Sequence, residues 1–223
     1  MATFVLIPGM LHGGWWYQPL TDGLRAAGHE VHPLTLTGVA ERGHLNDGTV
    51  NLDTHIQDVV SVLEAERLTD VVLVAHSYGG MVASGVADRV PERIGKLLYA
   101  DSFVPRDGES AYGIVTDVWK QRYLAGAAAD GFTTVGRNPA LDPRATVHPL
   151  ATLLQSVTLT GALDAVADRS YIHATGFEES PFLDTVARLR EDPSWTVLEL
   201  PVGHDLVREA PEEFLKIALT AAG

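Results

Sequence analysis

The stretch VVLVAHSYGGMVASGVA (Val71–Ala87) decides how this chain is read. Four β-branched or aliphatic residues and an alanine run into His76, Ser77 and Tyr78, and two glycines follow. The pattern then changes from continuous apolar to helical. A continuous apolar run of this length is a strand buried on both faces, and such strands belong to parallel sheets covered by helices. In parallel sheets ligands bind beyond the carboxyl ends of the strands, which is where Ser77 would stand. Small residues at Ala75 and Gly79 allow the abrupt reversal from strand to helix. The reversal lifts the serine above the sheet, at the start of the helix. Small-x-Ser-x-Gly in this setting is the nucleophile elbow, here with Ala75 in place of the first glycine. A serine that merely caps a helix is the alternative.

Working outward, Thr3–Pro8, Glu30–Leu36, Ile94–Phe103, Ser170–Gly176 and Ser194–Pro201 read as further strands, the second made irregular by Pro33. Helical patterns cover Trp15–Gly28, Leu52–Leu68 (with Asn51 or Asp53 as cap), Tyr78–Val90 and the chain from Pro211 onward. Alternation of this kind predicts an α/β fold around a mostly parallel six-stranded sheet. The segment from about 104 to 168 breaks the alternation. It carries helical fragments, Pro139, Pro143 and Pro149, and scattered large apolar residues. It is too long for an ordinary crossover and reads as a helical lid inserted into one domain spanning residues 1–223.

The composition excludes several functions. The 223 residues carry 16 basic and 29 acidic side chains, a formal net charge of −13, which argues against nucleic-acid and anionic-membrane partners. Cysteine is absent, so there is neither disulfide nor thiolate chemistry. No apolar run approaches a membrane span of roughly 18 residues, and the first residues lack the pattern of a signal peptide. The expectation is a cytoplasmic monomer or homodimer acting on a small molecule.

A serine hydroxyl needs a base. Of nine histidines, only His204 lies in a short loop between the last strand and the last helix, on the same sheet edge as Ser77. His76 reads as scaffold, with its side chain directed away from the serine. His29, His32, His44 and His55 have no placement that favours chemistry, and no metal-ligand spacing stands out. The imidazole in turn needs a carboxylate to fix its tautomer. Asp101, at the tip of the fourth strand, is favoured, and Glu178 after the fifth strand is the alternative acid. The backbone N–H groups of Tyr78 and Met10 are the candidate oxyanion donors. Trp119, Tyr123, Phe132, Trp16 and Trp15 are candidate pocket walls.

The stretches Phe4–Gly38, Val71–Gly108 and Leu200–Phe214 resemble the α/β-hydrolase superfamily, in particular the branch of plant methylesterases, hydroxynitrile lyases and bacterial esterase-like proteins. The resemblance implies a Ser–His–acid triad, an ester or related acyl substrate, and no cofactor. There are departures. Pro8 stands where the family usually has histidine, and Gly176 and Phe177 flank the place where the branch commonly has its aspartate. Haloalkane dehalogenases carry the acid one strand earlier, in a setting similar to Asp101. Met10 and Asp205 replace the threonine and lysine of the hydroxynitrile lyases, which argues against cyanohydrin chemistry. The expected activity is hydrolysis of an ester, thioester or lactone. The alternatives are lyase, cyclase or acyl-transfer chemistry at the same site, and a non-catalytic ligand-binding protein on the same fold.

Overall fold

A computed structural model describes residues 1–134 and 142–223; Pro139 lies outside the described residues. In chain order the elements are β1 (Thr3–Ile7), α1 (Gln18–Ala26), β2 (Glu30–Pro33), α2 (Leu52–Ala65), β3 (Val71–His76), α3 (Gly79–Arg89), β4 (Ile94–Ala100), α4 (Ala111–Ile114), α5 (Asp117–Ala125), α6 (Ala151–Leu154), β5 (Asp168–Ala174), α7 (Leu183–Glu191), β6 (Trp195–Leu200), α8 (Leu206–Glu209) and α9 (Pro211–Ala221). The strands form one sheet in the order β2-β1-β3-β4-β5-β6, with every pairing parallel. The chain winds outward from β1 to β2, then returns past it to β3. The carboxyl ends of β1 and β3 therefore flank the point where winding reverses, the place where such sheets leave a crevice.

Strand periodicity divides the core between two faces. Val5, Ile7, Val71, Leu73 and Ala75 point to the side covered by α2, α3 and α7, where they meet Ile56, Val59, Met81, Val82, Val186 and Leu189. Phe4, Leu6, Val72 and Val74 point to the other side, against Leu20 and Leu24 of α1 and Phe214 and Ala218 of α9. All six residues of β3 are buried, as the apolar run requires. Helix α2 begins at a reciprocal cap: the Asn51 side chain accepts from Thr54 N–H at 3.0 Å, and the Thr54 hydroxyl accepts from Asn51 N–H at 3.3 Å. Caps of this kind contribute about 1 kcal/mol.

Several boundaries differ from the sequence reading, among them β4, which ends at Ala100 rather than Phe103, and α1, which spans Gln18–Ala26. Strand β2 stops at Pro33, although Leu34 N–H still reaches Leu6 C=O at 3.0 Å. Strand β5 runs from Asp168 to Ala174 because Asp168 pairs with Lys96 of β4, and Gly176 has already left for a turn against Val202. Helix α7 had no counterpart in the reading. Its signal is present, with Phe182, Val186 and Leu189 buried at helical spacing.

The two glycines after the elbow answer a packing demand. A Cβ on Gly79 would lie 2.6 Å from Ile7 C=O, and one on Gly80 would lie 2.0 Å from Phe103 C=O. Both obstacles are backbone and cannot swing aside. Gly80→Ala is therefore expected to destabilise the fold by about 4 kcal/mol or more, against about 1 kcal/mol or less for Gly43→Ala, whose Cβ would have its nearest neighbour at 3.8 Å. Urea unfolding of the two variants reads the contrast.

Candidate active site

Ser77 occupies the turn between β3 and α3 with φ at +52°, in the left-handed region that non-glycine residues rarely adopt. Neighbouring backbone holds it there. Ser77 N–H donates to Ala100 C=O at 3.3 Å, and Ser77 C=O accepts from Phe103 N–H and Gly80 N–H, each at 3.1 Å. Asp101 repeats the device at the end of β4, with φ at +41° and its N–H bound to Ile172 C=O at 2.7 Å. The turn leaves the Asp101 carboxylate fully buried between the tips of β4 and β5.

Both carboxylate oxygens are occupied. Oδ1 accepts from Ala174 N–H at 3.2 Å, and Oδ2 lies 2.6 Å from His204 Nδ1. His204 comes from the loop after β6 with its side chain 31% exposed. That loop is tied at Gly203, whose N–H donates to the Glu209 carboxylate at 2.7 Å. His204 and Ser77 line the same cavity, of about 560 Å³. Glu178 is exposed in the loop after β5 and makes no hydrogen bond or ion pair to any described residue.

His76 does not point into inert scaffold. Its ring stacks on Trp16 at 4.3 Å and 24°, and lies 4.5 Å from the His204 ring on its other side. Its Nε2–H donates to His204 C=O at 2.8 Å. Burial, and after it the neighbouring His204, holds the His76 pKa well below the usual imidazole range, so His76 is neutral. Phe177 closes the far side of His204, with ring centres 4.8 Å apart. Trp16, His76, His204 and Phe177 thus stand as a column of rings, and the imidazole of His204 has little freedom to turn. Trp16 is buried in that column and does not line the cavity.

After β1 the chain passes Gly9, Met10, Leu11 and His12, all of which line the cavity. Among the described residues, neither Met10 N–H nor Tyr78 N–H donates to another protein group. His12 Nδ1–H donates to Met10 C=O at 2.7 Å. Burial lowers the His12 pKa, although the Met10 carbonyl and Asp205 pull it the other way. The apolar walls are Phe103, Trp119, Tyr123, Phe177 and Phe182. Phe132 stands apart, about one third exposed and beside Gly48. The cation in the lining is Arg122, paired with Glu179 at 2.9 Å and resting over Trp119. No group of His, Asp or Glu among the described residues has the arrangement of a metal site.

Two features were not singled out beforehand. Phe177 and Phe182 flank His204 across the cavity. His55, on α2, is buried with Nε2–H donating to Thr37 C=O at 2.7 Å and Nδ1 2.9 Å from the Tyr78 hydroxyl. A helical histidine on the apolar face of α2 was the available signal.

A wholly parallel sheet carrying a strained serine after β3, a carboxylate after β4 and a histidine after β6 defines a class, and comparison with known proteins gives the same class. The chain belongs to the α/β-hydrolase family, whose model matches residues 4–217. It is 39% identical to a carbendazim-hydrolyzing esterase of Nocardioides sp. (strain SG-4G), over 96% of each chain. It is 31% identical to methyl jasmonate esterase 1 of Vitis vinifera, over 46% of this chain and 40% of that one. Among solved structures, an extracellular α/β-hydrolase from a Paenibacillus species superposes with a TM-score of 0.85 at 22% identity, covering 100% of this chain and 99% of the other. No helix among the described residues is long and apolar enough to cross a membrane.

Proposed function

We propose that the protein is a carboxylic ester hydrolase that works through an acyl-enzyme on Ser77. The observation that carries this reading is the 2.6 Å contact of His204 Nδ1 with buried Asp101, on a ring that shares its cavity with the strained serine. The esterase relatives support the reaction class. Asp101 holds the proton of His204 on Nδ1, which leaves Nε2 free to act as base. His204 takes the Ser77 proton as Oγ attacks the ester carbonyl. The tetrahedral oxyanion receives hydrogen bonds from Met10 N–H and Tyr78 N–H. His204 then gives its proton to the departing alkoxide, leaving Ser77 acylated. Water, deprotonated by the same imidazole, releases the acid and restores the serine.

In this reading the substrate is a neutral small molecule with a flat apolar group. The cavity walls are mostly aromatic, and Arg122, the arginine in the lining, already pairs with Glu179. The chain between β4 and β5 acts as a cap in this reading, because Trp119, Arg122 and Tyr123 of α5 form one side of the cavity.

A fluorophosphonate probe, with hydrolysis of a short p-nitrophenyl ester measured alongside, tests the reading. Wild type is expected to label, and Ser77→Ala to lose both labelling and about 10⁴-fold or more of the hydrolysis rate. Hydrolysis that survives in Ser77→Ala would overturn the assignment. Substrate binding without any acyl-enzyme would favour lyase or other non-hydrolytic chemistry at this site.

A further inference from the structure

We infer that His148 is a positioning residue for the oxyanion pocket, acting through the peptide that joins Met10 to Leu11. The inference rests on the serine-hydrolase reading above and extends it to a residue remote in sequence from every motif.

Leu11 is held with φ at +71°, a conformation that a leucine does not keep without support. The support comes from both sides of one peptide unit. His12 Nδ1–H donates to Met10 C=O at 2.7 Å, and Leu11 N–H donates to His148 Nδ1 at 3.5 Å. The next carbonyl, that of Leu11, accepts from Thr146 N–H at 3.1 Å. Two residues of the chain between β4 and β5 therefore grip the turn after β1. With both ends of the Met10–Leu11 peptide fixed, the Met10 backbone has little room to rotate, and its N–H is the proposed donor to the developing oxyanion.

The second donor is tied to the same ring. Tyr78 is fully buried, its ring 4.7 Å from His148 in an edge-on contact and its hydroxyl on His55 Nδ1. His148 thus touches the turns that carry both proposed donors. The choice of histidine here has a physical reason. The side chain is fully buried and its Nε2 has no hydrogen-bond partner among the described residues, an arrangement that disfavours a polar ring. Phenylalanine would fill the same space without that cost. What histidine adds is an acceptor for Leu11 N–H, and accepting at Nδ1 places the ring proton on Nε2. Burial keeps the ring neutral, which that acceptor role requires.

The test compares His148→Phe, which keeps volume and removes the acceptor, with His148→Asn, whose side-chain oxygen can stand where Nδ1 stood. Fluorophosphonate labelling of wild type and its loss in Ser77→Ala first establish the serine reading separately. With that in place, His148→Phe is expected to lower kcat about tenfold or more with KM within about twofold, since a small misplacement of catalytic groups is felt in the chemical step. His148→Asn is expected to recover most of that loss, and the recovery is what a purely space-filling role would not give. A smaller fall in His148→Phe, a fall carried by KM, or no better activity in His148→Asn than in His148→Phe overturns the proposal. If wild type fails to label, the serine reading fails and the positioning role falls with it, an outcome distinct from labelled enzyme with indifferent His148 variants.

Discussion

Asp101→Asn is expected to lower kcat about 10⁴-fold while leaving the thermal midpoint nearly unchanged. The asparagine keeps the shape of a side chain that is fully buried. Its carbonyl oxygen can go on accepting from Ala174 N–H, which now bonds to Oδ1 at 3.2 Å. That orientation turns the amide NH₂ toward His204 Nδ1, where Oδ2 stood at 2.6 Å. Two donors cannot face each other, so His204 gives up its proton at Nδ1 and carries it on Nε2. The ring then offers Ser77 a donor where the reaction needs an acceptor, and the imidazolium formed during attack has no carboxylate behind it. The opposite orientation would bury the NH₂ against Ala174 N–H, which costs more because neither group reaches water. Burst kinetics with a p-nitrophenyl ester and the rate of fluorophosphonate labelling both read the loss. Glu178→Gln, measured in parallel, is expected to match wild type, because that side chain is exposed and bonded to no described group. A rate for Asp101→Asn within tenfold of wild type, or a collapse in Glu178→Gln, would reassign the acid.

The second large effect is on stability in mild acid. Burial pushes the His55 pKa down to about 4, with the Thr37 carbonyl and Asp58 pulling the other way. Burial, with neighbouring histidines adding to it, also holds His76 and His148 well below the ordinary value. Each folded pKa lies below that of the unfolded chain, near 6.5. As pH falls through 6.5 the unfolded chain takes up protons that the folded one refuses. Stability is therefore complete above about pH 6.5 and declines as pH drops toward 4. His55 alone accounts for about 3 kcal/mol over that window, and the other two histidines add to it. Asp205, whose carboxyl burial pushes up, works in the opposite direction and offsets a small part. Urea midpoints taken between pH 7 and pH 4 should fall steeply, and His55→Gln should flatten the slope by about one proton. A flat profile in wild type would mean that these rings are protonated inside the fold.

The serine and histidine were legible because what places them is local. Ser77 follows from a strand, a turn and a helix contiguous in sequence. His204 follows from being the histidine in a loop between the last strand and the last helix. Asp101 was readable, and favoured over Glu178, as a polar residue at the tip of an apolar strand; the hydrogen bonds at its two oxygens are what the proposed mechanism rests on. The rest was hidden for a physical reason. Leu11 meets His148 across 137 positions, and His76 meets His204 across 128. No spacing rule carries contacts of that kind. His55 and His148 look like stray polar residues until the fold closes around them. Helix α7 is a different case, since Phe182, Val186 and Leu189 already spelled its buried face.

Gly9 sets a boundary for any attempt to change what the cavity accepts. A Cβ there would come within 2.9 Å of both His76 Nδ1 and Ser77 Cβ, so the turn after β1 and the elbow touch with no room between them. Positions 9, 79 and 80 therefore act as fixed mechanical spacers, and mutant libraries that include them will be spent largely on misfolded clones. Diversity aimed at new leaving groups belongs instead at Trp119 and Tyr123, where a smaller side chain enlarges the cavity without touching the backbone around the serine or the rings packed on His204.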